Sequence, residues 1–135
     1  MPSGGADRWT TLGLLAAGGA AGAVARHLLS GWLARPGRES IPWGTLAVNL
    51  SGCLLLGALL TALDRRLPDD RAWRLLLAVG FLGAFTTFST FAWEVHDLLR
   101  DGSTARALAY AGGSVVLGLA AVAAGIAIAR TTGAG

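Results

Sequence analysis

The chain has 135 residues, enough for a single domain, yet 53% of them are apolar and only 14% charged, with a mean hydropathy of +0.57. Soluble domains carry about 25% charged residues, and one this small could not bury so much apolar surface, so a membrane is the expected solvent. Eleven arginines against eight acids give a net charge of +3, but they cluster between apolar segments rather than forming a stripe, which argues against nucleic acid. The lone Cys53 excludes an intramolecular disulfide and a cysteine metal cage.

Four segments have the roughly 20 apolar residues that a transmembrane helix needs: about 9–33, 43–63, 73–99 and 105–129. The expected fold is therefore an all-α membrane protein, with residues 1–135 forming one four-helix transmembrane domain. Met1–Asp7 and Thr131–Gly135 read as short disordered ends, and no cleavable signal peptide is expected because the first apolar run is too long. Charged Pro/Gly clusters mark the connections: Arg35, Pro36, Gly37, Arg38 and Glu39; then Asp64, Arg65, Arg66, Pro68, Asp69, Asp70 and Arg71; then Arg100, Asp101 and Gly102. Trp9, Trp32, Trp43, Trp73 and Trp93 fall near the segment ends, as an interfacial aromatic belt would; Trp93 places the end of the third crossing near Trp93–Leu99. Small residues, Gly18 and Gly22 foremost, suit close helix packing in lipid and an oligomer. Six arginines on one side of the bundle (8, 65, 66, 71, 74, 130) face four on the other (35, 38, 100, 106). That bias is weak, so the chain could insert both ways and pair as an antiparallel dimer.

Polar residues inside the spans are the candidates for function. Arg26 lies deep in the first segment, where it either faces protein or a water-filled vestibule or snorkels to the interface. Asn49, between Thr45 and Ser51, either pins two helices or offers a donor to an anion. The third segment carries the run Gly80–Phe91, GFLGAFTTFSTF. Gly80 and Gly83 loosen the helix where the hydroxyls begin, so a break near its middle is expected, with freed carbonyls that could hold a cation. Thr86 and Thr90 share a helix face, as do Phe81, Phe85 and Phe88. A phenylalanine stripe suits packing, but the electropositive ring edges of Phe88 and Phe91 could also meet an anion. Glu94 and His96 lie near the helix end, where solvation is the simpler explanation. In the fourth segment, Tyr110 and Ser114 line up on one face as a polar track, unless Tyr110 is merely interfacial. No P-loop, HExxH, GxSxG or metal-ligand spacing occurs, and no enzyme is expected.

The run GFLGAFTTFSTF resembles the third-helix signature of the Fluc-type (CrcB-type) fluoride channels, GFxGGxTTFSTF. GGAAGAVARH, GTLAVNLSG and AYAGGS extend the resemblance to the other three crossings, in the family's order and spacing. The resemblance implies a passive fluoride-selective channel that exports cytoplasmic fluoride. It would be an antiparallel, dual-topology homodimer in the inner (plasma) membrane, with two fluoride pathways. Pore phenylalanines would fall on Phe88 and Phe91, the pore asparagine on Asn49 and the first-helix arginine on Arg26; Ser89, Thr90, Tyr110 and Ser114 would form the polar track. Backbone carbonyls of Gly83 and Thr86 from both subunits would hold a structural sodium ion at the dimer centre. Ala84 departs from the pattern, standing where the second glycine is usual.

Two other functions fit the same outline. A small proton-coupled multidrug exporter also has four short helices but needs a membrane-embedded carboxylate, and no acid lies in the spans before Glu94 or in the fourth. A non-transporting scaffold packed through its glycines would leave the in-span hydroxyls and amide without a purpose.

Overall fold

The computed structural model describes residues 4–33, 41–66 and 70–132. Four helical spans, Asp7–Leu33, Trp43–Arg66, Arg71–Arg100 and Thr104–Thr131, are long and apolar enough to cross a membrane, and the described residues contain no strand. In lipid this follows from hydrogen bonding: a helix satisfies its backbone internally, whereas an open strand edge cannot. Even the shortest of these spans, of 24 residues, is about 36 Å long, against a hydrocarbon core of about 30 Å.

Helix α1 (Gly4–Leu33) begins earlier than the sequence reading placed it, with Asp7 in its first turn, where an acid stabilises the positive end of the helix. Helix α2 (Trp43–Arg66) continues past residue 63 because Arg65 and Arg66 suit its negative end. Residues expected in the connections, Arg35, Pro36, Gly37, Arg38, Glu39, Pro68 and Asp69, lie outside the described residues, as do Met1–Ser3 and Gly133–Gly135.

The third span is composite. Asp70 caps α3 (Arg71–Trp73), its carboxylate accepting from the N–H groups of Ala72 at 3.0 Å and Trp73 at 3.2 Å. A π-helical segment, Arg74–Leu82, follows, then α4 (Gly83–Phe85), two extended residues and α5 (Phe88–Arg100). Helix α5 ends at Gly102, whose φ of +74° allows the reversal; the N–H of Ser103 donates to the Leu98 carbonyl and that of Gly102 to Leu99. Helix α6 (Thr104–Thr131) closes the bundle and takes in Thr131, which the sequence reading assigned to the tail.

Packing is by backbone approach. The most extensive contacts are α2 with α6 and α1 with the π-helical segment. A Cβ on Gly22 would lie 2.1 Å from the Phe81 carbonyl oxygen, and one on Gly18 2.1 Å from that of Leu76. Across α2 and α6, a Cβ on Gly57 would lie 2.4 Å from Val122 O and one on Gly125 2.1 Å from Leu54 O. Lipid supplies no hydrophobic drive between helices, so close contact of small residues does this work. The third span changes partners along its length: its π-helical half lies on α1, while α5 lies on α6. Two small apolar clusters result, Val48, Leu82 and Phe85 on one side of the extended residues and Leu98, Ala107 and Tyr110 on the other.

Candidate functional site

Thr86 (φ −79°, ψ 158°) and Thr87 (φ −148°, ψ 114°) take extended backbone in mid-span. The Thr86 N–H still donates to the Leu82 carbonyl, and Asn49 of α2 supplies partners for the peptide groups of Thr87. Its Nδ2 donates to the Thr87 carbonyl at 3.1 Å, while its Oδ1 accepts from the Thr87 N–H at 2.8 Å. The side-chain amide thus acts as a neighbouring strand would, two bonds to one residue. Thr87 then caps α5: its Oγ1 accepts from the N–H of Thr90 at 3.2 Å and donates to the Thr90 hydroxyl at 3.0 Å. The Ser89 hydroxyl lies 3.4 Å from the same atom.

Four carbonyls, those of Gly83, Ala84, Phe85 and Thr86, lose their helical donors as a result. In an uninterrupted helix the N–H of Thr87 would close on Gly83 and that of Thr90 on Thr86. Here they are committed to Asn49 and to the Thr87 hydroxyl. The oxygens of Gly83 and Thr86 are therefore among those left to find another partner. No group of three or more His, Cys, Asp or Glu side chains occurs among the described residues.

Two cavities lie at this interruption, and Thr87 lines both. One is a vestibule of about 200 Å³ lined by Arg26, His27, Ser30, Thr45, Thr87 and Thr90, with Ala23 and Val48. Arg26 is half-buried, with two turns of α1 still to run before Leu33, and no acid pairs with it among the described residues. Arg26 thus lines a cavity between the spans. The other cavity is a groove of about 350 Å³ whose walls include Asn49, Gly83, Thr86, Phe88, Phe91 and Ser114. Phe88 is 79% exposed at its edge, with ring centroids 5.8 Å from Phe91. Ser114 lines the same groove, and its hydroxyl is buried without a partner among the described groups. Such a group is costly unless something binds it.

Behind Phe91 lies a network the sequence reading missed. Tyr110 is only 3% exposed, so it is not interfacial; its ring centroid lies 5.3 Å from that of Phe91 and its hydroxyl donates to Glu94 Oε2 at 2.7 Å. Thr45, from the vestibule wall, donates to Glu94 Oε1 at 2.6 Å. Glu94 is therefore half-buried and fully engaged rather than solvated, because α5 runs six residues beyond it to Arg100. An in-span acid with Thr45 and Tyr110 on neighbouring spans was the available signal. Treating Trp93 as a helix end hid it; Trp93 simply points outward, 62% exposed.

Two pairings expected from helical spacing do not form, since the extended residues lie between their members. Thr86 turns its hydroxyl to the Leu82 carbonyl, whereas Thr90 joins Thr87. Phe81 and Phe85 stack at 5.8 Å against the core, whereas Phe88 belongs with Phe91. Gly80 and Gly83 are themselves helical; Gly80 lies against Gly18, so it serves packing.

Comparison with known proteins places this architecture. The chain is 47% identical to the "Fluoride-specific ion channel FluC" of Hahella chejuensis, over 86% of this chain and 91% of that one. It is 45% identical to the protein of the same name from Solibacter usitatus, over 87% and 96%. With "Fluoride-specific ion channel FluC 2" of Moorella thermoacetica the identity is 52%, over 76% and 82%. Residues 13–126 match the family described as CrcB-like protein, Camphor Resistance (CrcB), and the chain belongs to that family.

Proposed function

We propose that this protein is a passive, fluoride-selective channel in the cell's inner membrane, not an enzyme, that lets cytoplasmic fluoride leave. The observation that carries the reading is the pair of cavities that share Thr87, one lined by the unpaired Arg26 and the other by Ser114, whose hydroxyl has no partner among the described groups. The names of the relatives support the choice of ion.

Fluoride is small and holds its water tightly, so a pore must replace hydration with donors. Arg26 draws the anion into the vestibule, where the field of an unpaired guanidinium raises its local concentration. Asn49, Ser89 and Thr90 stand at the interruption that the ion passes. Beyond it, the electropositive edges of Phe88 and Phe91 and the hydroxyl of Ser114 receive the ion. Tyr110, tied to Glu94, holds the Phe91 ring in place. Chloride, larger and more weakly hydrated, gains too little from so narrow a set of donors.

The functional unit is an antiparallel homodimer of oppositely inserted copies, with two pathways. In support, Phe88 and the groove beside it are open on a single copy, and a second copy would cover them. The carbonyls of Gly83 and Thr86, whose helical donors are diverted, fit a sodium ion shared between the two copies. Bound there, sodium supplies a fixed positive charge that lowers the barrier to an anion. Ala84 leaves these ligands unaffected because they are main-chain atoms.

A multidrug exporter would require a carboxylate free to exchange a proton for a cation. Glu94 lies in a span, but both its oxygens are held by hydroxyls. Vesicles loaded with fluoride and containing the purified protein should empty far faster than bare lipid, while chloride-loaded ones stay full. Equal efflux of both ions, or no fluoride efflux above lipid alone, would overturn the proposal.

A further inference from the structure

At the end of the bundle where α2 and α6 both finish, Ala62, Arg65, Arg66, Ala129 and Thr132 enclose a notch of about 280 Å³. Helix C-termini present carbonyl oxygens and partial negative charge, so an anion would ordinarily avoid such a place. Arg65 reverses the sign. Its Nη1 donates to the carbonyls of Arg130 at 3.0 Å and Ala129 at 3.4 Å, neutralising the end of α6 and fixing the guanidinium plane. The opposite edge, Nε and Nη2, has no acceptor among the described residues. That edge is the fork that grips two oxygens of one phosphate.

The surrounding charges agree. Arg66 is exposed, and no acid pairs with it among the described residues. Asp64, the acid next to Arg65 in the chain, is taken by Arg74. Arg130 adds a further cation in the last turn of α6. Thr132 has its hydroxyl proton on the Ile128 carbonyl at 3.0 Å, which leaves lone pairs to accept from a hydroxyl-bearing ligand.

We infer that this notch binds the headgroup phosphate of an anionic phospholipid, a hydroxylated headgroup such as glycerol matching it best. A lipid is favoured over free phosphate by position. The notch lies where two membrane spans end, at the same end of the bundle as the exposed Trp9 and Trp73, and Ala62 and Ala129 give it apolar walls. Basic pockets between transmembrane helices are where such headgroups dock. The inference is independent of the fluoride reading.

The test measures binding to the intact protein in neutral detergent, by native mass spectrometry and by thermal unfolding. Phosphatidylglycerol should bind and raise the unfolding temperature, and phosphatidylcholine should do neither. Arg66→Gln should weaken phosphatidylglycerol binding about fivefold, the loss expected for one guanidinium at a membrane surface. Arg65 also caps α6, so Arg66→Gln is the decisive variant. Equal binding of both lipids, or an Arg66→Gln protein that binds as the parent does, would overturn the inference. Inorganic phosphate that stabilises as well as phosphatidylglycerol would overturn it too, by assigning a site for free anions.

Discussion

The two halves of the third span are held by opposite means. From Arg74 to Phe85 it lies on α1 through bare backbone, with Gly18 and Gly22 pressed against the carbonyls of Leu76 and Phe81. From Phe88 to Arg100 it is fastened by directed hydrogen bonds, Glu94 taking protons from Thr45 on α2 and Tyr110 on α6. The first kind of contact depends on size alone and offers nothing to an ion. The second depends on chemistry, places hydroxyls and charge among the spans, and leaves Phe88 exposed and the Ser114 hydroxyl without a partner among the described groups beside it. The division shows how a span of thirty residues can be anchored at one end and reactive at the other.

Four substitutions would break or sharpen this contrast. The largest effect belongs to Gly22→Val, whose Cβ would sit 2.1 Å from a carbonyl oxygen that cannot step aside. A loss of about 3 kcal/mol is expected, enough to remove monodisperse protein from detergent extracts. Gly19→Val should survive, since nothing lies within 4 Å of that position in a single copy. If the two variants behave alike, close packing on α1 is not what holds this half.

Next comes Asn49→Leu, which keeps bulk but strips both partners from Thr87. Each orphaned buried group costs about 1–3 kcal/mol, so the unfolding temperature should drop and fluoride efflux should fall by a hundredfold or more. Efflux at the parent rate would remove Asn49 from the pathway.

The smallest change is Tyr110→Phe, which deletes the proton donated to Glu94 while leaving the ring on Phe91. Hydrogen bonds between membrane helices are worth about 0.6–2 kcal/mol, so a modest loss of stability should accompany slower efflux. No change in either would mean that Glu94 is served equally well by water, as its position in the sequence first suggested.

What the sequence revealed follows the same division. The four spans were legible because bilayer thickness sets a length that apolar runs must meet, and Gly18 and Gly22 announced tight packing by their spacing alone. The second half of the third span was harder. Helical spacing paired Thr86 with Thr90 and Phe85 with Phe88, but extended backbone at Thr86 and Thr87 puts the members of each pair on different elements. Glycines drew attention to residues 80 and 83, whereas two threonines further along carry the extended geometry, supported by an asparagine 38 positions away from Thr87. Glu94 was obscured by a tryptophan beside it. Long-range partners, not local propensity, decide these features, and a single sequence does not display them.

The extended residues have one more consequence. An unbroken helix across a membrane has its partial charges only at its two wet ends. Interrupting it at Thr86 and Thr87 creates a fresh pair of poles inside the bilayer, back to back: the negative, carbonyl-bearing end of Gly83–Phe85 and the positive, N–H-bearing start of Phe88–Arg100. Two neutral threonines thereby give the interior of the membrane one place that welcomes a cation and, within a turn, another that welcomes an anion.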